Sequence, residues 1–86
     1  MLINLVSNPL KMILYKNLSG ESGIHAFEIQ ENQLIVQFSS GGLYYYNSIK
    51  PGLFHLKNMM ELALKGQGLN TYINQQVRKN YYIKSI

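Results

Sequence analysis

LIVQFSSGGLYYYNSIKP, residues Leu34 to Pro51, is the stretch that decides the fold. Leu34, Val36 and Phe38 alternate with Ile35 and Gln37, the period of two that a strand requires. Ser39-Ser40-Gly41-Gly42 follows, and glycine tolerates the positive φ of a tight chain reversal. Leu43 to Asn47 then reads as the partner strand, with Tyr44 and Tyr46 on one face and Leu43 and Tyr45 on the other. Upstream, Phe27 and Ile29 alternate with Glu28 and Gln30, so Ile24 to Gln30 is a strand, joined to the next by a turn at Glu31-Asn32. These signals predict a three-stranded antiparallel meander.

Outward from the meander the signals change. Met12 to Tyr15 reads as a short first strand, with Pro9 interrupting regular structure before it. Ser19 to Gly23 is a loop by composition. After Pro51 the period becomes helical, with Leu53, Leu56, Met60, Ala63 and Leu64 on one face and Gly66 as a C-terminal stop. Asn70 can cap a second helix, Thr71 to Lys79, whose Ile73 and Val77 face the core and whose Arg78 and Lys79 sit in the last turn, where positive charge suits the helix dipole. Tyr81 to Lys84 is extended and can add an edge strand. The fold class is therefore α+β, a small antiparallel sheet of three to four strands packed against two C-terminal helices in two layers. Such a sheet has one face on the helices and one open to water or a partner.

The chain has 86 residues, one domain's length, and a domain of this size buries roughly 60–65% of its unfolded surface. A hydrophobic content of 47% argues against disorder. No cysteine is present, so disulfides and thiolate chemistry are excluded. No window approaches the ~18 apolar residues of a spanning helix, and no basic residue precedes the apolar start, so a soluble, cytoplasmic protein is expected. Met1 to Val6 is compatible with an added strand or an unstructured tail. Charge is uneven: residues 1–49 carry two Lys against three Glu, and residues 50–86 carry six Lys and Arg against Glu61 alone. A basic C-terminal half favours an anionic partner such as nucleic acid, unless the charges simply solvate a surface.

The order of these signals resembles the KTSC domain, a small module found at the C-terminus of some lysyl-tRNA synthetases and as a stand-alone bacterial or phage protein. The resemblance is carried by Phe-x-x-Gly-x-x-Tyr-x-Tyr at Phe38, Gly41, Tyr44 and Tyr46, and by Asn-x-x-Ile/Val-Arg-x-x-Tyr at Asn74, Val77, Arg78 and Tyr81. It divides the chain into an N-terminal segment, residues 1–18, and a KTSC-like domain, residues 19–86. It implies structural roles for Gly41, Gly42, Gly68 and Asn74. The association with tRNA synthetases implies nucleic-acid handling by analogy alone.

Catalysis finds little support. Asp and Cys are absent, and neither His25 nor His55 has a sequence partner that would orient it as a base. Their spacing matches no zinc pattern, so no metal and no cofactor is expected. Gly66-Gln67-Gly68 lacks the Gly-Lys-Ser/Thr ending of a phosphate loop and reads better as a helix stop and a turn. The tyrosines have two open uses. Tyr44 and Tyr46, two apart on one face, either stack exposed bases or pack under the helices, and packing weighs more. Whichever way the sheet lies, at least one of Tyr44, Tyr45 and Tyr46 faces away from the helices. Arg78 is suited to capping carbonyls, pairing with Glu61 or binding phosphate.

The leading expectation is a small non-catalytic module that binds RNA or DNA. Arg78, Lys79, Lys84 and Lys65 would contact phosphates, and Tyr44, Tyr46 and Tyr81 would stack or frame the site. The rival is a protein-interaction module, with an apolar and tyrosine anchor patch facing a partner protein or a second copy.

Overall fold

A computed structural model describes residues 10–85. Five strands form one antiparallel sheet in chain order: β1 (Ile13–Leu14), β2 (Ile24–Gln30), β3 (Gln33–Phe38), β4 (Leu43–Asn47) and β5 (Ile83–Ser85). Between β4 and β5 the chain forms α1 (Leu53–Lys65), the short helix α2 (Leu69–Tyr72) and, continuous with it, a π-helical turn (Ile73–Val77). The α+β architecture and central meander agree with the sequence reading, and the two short edge strands raise the strand number to five. The expectations for Met1 to Val6 lie outside the described residues.

Register explains the core. Leu34 lies opposite Tyr46, and Val36 opposite both Phe27 and Tyr44. The face they share meets Leu56, Met59 and Ala63 of α1, Leu69 of α2, and Ile73 and Val77 of the π turn. Each large apolar side chain removed from water there contributes about 1.5–3 kcal/mol. Tyr15, just past β1, is buried, and its hydroxyl accepts a hydrogen bond from the Leu69 amide at 3.3 Å, which joins the N-terminal strand to the start of α2. The opposite face is not bare. Ile35 is fully buried there, flanked in register by Glu28 and Tyr45.

Three expectations are corrected. First, the buried stripe of α1 is Leu56, Met59 and Ala63, while Leu53 and Leu64 are exposed and Met60 only partly buried. Apolar residues occur on more than half of this helix, so periodicity alone leaves its rotation ambiguous, and contact with α2 as well as the sheet turns it toward Met59. Second, the next helix starts at Leu69 behind Gly68, whose φ of 87° makes the reversal, and not behind Asn70, which lies inside its first turn. Third, Arg78 and Lys79 lie beyond the helix. The Arg78 amide donates to the Ile73 carbonyl at 2.5 Å and closes the π turn.

Between β4 and α1 the chain is held by Asn47. Its Oδ1 accepts hydrogen bonds from the Ile49 and Lys50 amides, both at 2.9 Å, and Lys50-Pro51 is a cis peptide. This turn leaves Ile49, Leu53 and Phe54 exposed. Among the described residues no helix is long and apolar enough to cross a membrane.

Candidate nucleic-acid interface

Tyr44 and Lys84 are direct cross-strand partners on β4 and β5. That pairing sets the Lys84 ammonium over the Tyr44 ring, 5.3 Å from its centroid, within cation–π range. The Tyr44 ring is also held edge-on between Phe38 (5.0 Å) and Tyr81 (5.1 Å). Gly42 permits this arrangement. Its φ is 88°, and a Cβ there would lie 3.3 Å from the Tyr44 ring.

Around this aromatic group lies a cleft of about 370 Å³. Tyr46 and Ile73 form its buried floor. Asn74 of the π turn, and Arg78 and Lys79 just beyond it, line the cleft. Ser40, Tyr81 and Lys84 complete the lining. Among the described residues no carboxylate lines the cleft. A smaller hollow bounded by Gly41 and Gly42 shares Ser40, Tyr44 and Lys84 with it, so the hairpin turn forms part of the rim.

No protein-family model, curated protein or solved structure matches this chain.

Six of the seven residues singled out for binding converge on this cleft, namely Tyr44, Tyr46, Arg78, Lys79, Tyr81 and Lys84. Lys65 does not, since it belongs to the last turn of α1 beside the Gly66 stop. Asn74 lines the cleft, whereas Gly68 lies at a separate polar hollow formed with Ser19, Ser22 and Asn70. Phe38, a strand residue that also carries part of the resemblance, and Ser40, a turn residue by composition, line the cleft as well.

The tyrosines divide their roles. Tyr46 is 1% exposed, so it is core and presents no face on which a base can stack. Burial, followed by its neighbours Tyr44 and Tyr81, pushes its phenol well above the ordinary tyrosine value and keeps it neutral. Tyr44 is half-buried with one face already covered by Lys84, and Tyr81 is half-buried at the cleft wall. Tyr45 faces away from the helices but is itself half-buried. The Lys84 ammonium is fully exposed, and the Tyr44 hydroxyl as hydrogen-bond partner raises its pKa, so it stays charged at neutral pH.

Neither histidine lines the cleft. His25 is exposed on β2, and His55 Nδ1 lies 2.7 Å from the Tyr72 hydroxyl, which also accepts a hydrogen bond from Asn58 Nδ2 at 3.1 Å. Chemically the cleft offers three cations, aromatic rings, an amide, and the hydroxyls of Ser40 and the tyrosines. Among the described residues it offers no proton acceptor of carboxylate or imidazole type.

Proposed function

We propose that this chain is a KTSC-type module that binds nucleic acid, RNA or DNA, without acting on it chemically. The observation that carries the reading is the convergence of Arg78, Lys79 and Lys84 beside Tyr44 and Tyr81 in one cleft that no carboxylate lines among the described residues. Arg78 forks onto phosphate oxygens, and the lysines add point charge. Tyr81 supplies the aromatic surface for a base, a contact worth about 1–3 kcal/mol.

The test is fluorescence anisotropy of labelled single-stranded RNA, tRNA and duplex DNA at two salt concentrations, with Arg78→Ala beside the wild type. Three phosphate contacts on a single strand give a slope of log K against log salt near −2, so affinity falls about 20-fold between 50 and 200 mM salt. Arg78→Ala removes one charge-assisted contact and is expected to weaken binding about tenfold. Affinity indifferent to salt would overturn the proposal.

A second reading has its own observation. Ile49 and Phe54, at the turn into α1, are 72% and 73% exposed, and Leu53 beside them is exposed too. Large apolar side chains so displayed suit a protein partner or a second copy of the chain. That reading takes over when no nucleic acid binds at low salt and Phe54→Ser abolishes capture of a partner or self-association.

A further inference from the structure

We infer that the cleft is built for one unpaired nucleotide, free or at the end of a strand, and not for the side of a duplex. The inference rests on the nucleic-acid reading above and narrows it. The volume, about 370 Å³, lies near the lower end of the ~300–1,000 Å³ range in which proteins enclose small molecules. A duplex is held differently, by charges spread along its backbone or by an element laid in a groove.

The lining divides into the parts of a single nucleotide. Arg78 and Lys79, adjacent in the chain just after the π turn, and Lys84, from β5, reach the same cleft from two elements, so positive charge is gathered there as for one phosphate group. Tyr81 supplies the aromatic surface at the wall, while Tyr44 is fixed between Phe38 and Tyr81 with Lys84 over its face. That leaves room for one stacked base and not a run of them. Asn74 and Ser40 are exposed and polar, and each can both donate and accept, as the edge of an unpaired base requires. In a paired strand that edge is already occupied by the complementary base.

Arg78 is presented by a constrained backbone. Its φ of 54° and ψ of −124° are those of the first central residue of a type II′ turn, and the Asn80 amide closes that turn on the Val77 carbonyl at 3.0 Å. A side chain held in a glycine-favouring conformation at the wall of a cleft is the kind of local strain that accompanies ligand sites.

The experiment is competition against a labelled single-stranded 12-mer RNA by AMP, CMP, the corresponding nucleosides and inorganic phosphate. Direct binding of the same 12-mer as a blunt duplex, and with and without a 5′ phosphate, completes the set. Mononucleotides are expected to displace the RNA at least tenfold better than nucleosides or phosphate alone, and the duplex to bind at least tenfold more weakly than the single strand. A 5′ phosphate that tightens the single strand several-fold assigns the site to strand ends. Equal affinity with and without it, alongside effective mononucleotide competition, assigns it to free nucleotides. Both results support the inference. Arg78→Gly, which suits the positive φ, removes the guanidinium without threatening the fold and is expected to abolish mononucleotide competition. Duplex and single strand binding equally, with no competition by mononucleotides, overturns the one-nucleotide inference and leaves nucleic-acid binding standing. Absence of binding to every nucleic acid overturns both.

Discussion

Arg78 shows how one residue can work against the fold that holds it. A non-glycine side chain at positive φ costs about 1–2 kcal/mol, and only Asn17 and Arg78 are non-glycine residues in that region among the described residues. Replacing Arg78 by glycine removes that cost but adds the unfolded-state entropy of glycine, about 0.5–1 kcal/mol. Arg78→Gly is therefore expected to stabilise the protein by about 0.5–1 kcal/mol in urea denaturation while ligand affinity falls. A loss of stability instead would mean that the guanidinium braces the structure. Gly66 has the opposite dependence. Its φ of 78° ends α1, its amide donates to the Leu62 carbonyl at 2.9 Å, and an added Cβ would collide with Cβ of Lys16, too near the backbone to swing away. Its own carbonyl accepts from the Leu18 amide at 2.9 Å, so the segment cannot shift freely. Gly66→Ala combines the left-handed penalty with this collision, and a loss of about 2–4 kcal/mol, or more than about 10 °C in Tm, is expected by thermal denaturation.

Among the elements, legibility followed the number of independent signals. The β3–β4 hairpin carries strict alternation on both strands and two glycines between them, and Gly41 and Gly42 do adopt positive φ there. Helix α1 had a clear length and a clear stop but an ambiguous rotation, because Leu53, Phe54, Leu62 and Leu64 extend its apolar surface beyond one stripe. The π turn has no sequence signature, since one extra residue in a helical turn changes no residue type, yet it sets where Arg78 leaves the helix. The candidate site was accordingly legible as a set of residue types and not as a place. Lys84 reaches Tyr44 only through the β4–β5 register, and Lys65, just as basic, is left outside by the stop at Gly66. The rotation of α1 is open to direct test. Met59 is fully buried and Leu64 is exposed, so Met59→Ala is expected to cost about 2–5 kcal/mol and Leu64→Ala within about 0.5 kcal/mol. Paired urea melts would reverse that order if the stripe read from periodicity faced the core.

At the scale of the whole molecule, the cleft and the core share Tyr46, so pH acts on stability through a residue beneath the candidate site. Burial raises the Tyr46 pKa in the folded state above its ordinary value of 10.0, because a phenolate is poorly solvated there. The sign follows from proton counting. Above about pH 10 the unfolded chain releases this proton while the folded chain keeps it, so the unfolded state binds fewer protons and stability falls with rising pH. The stabilisation is complete below the unfolded value and is lost progressively as pH climbs toward the folded one. Lys84, also raised in the folded state, acts in the same direction, but its full exposure leaves it a minor contributor. Tyr46→Phe keeps the ring and removes the ionisable hydroxyl. Urea denaturation of both proteins at pH 8 and pH 11 is expected to show the wild type losing more stability between the two values than the variant does. The two losses would be equal if the Tyr46 hydroxyl were solvated in the folded protein. Tyr46 would then belong to the open surface of the cleft, with its ring available to a ligand after all.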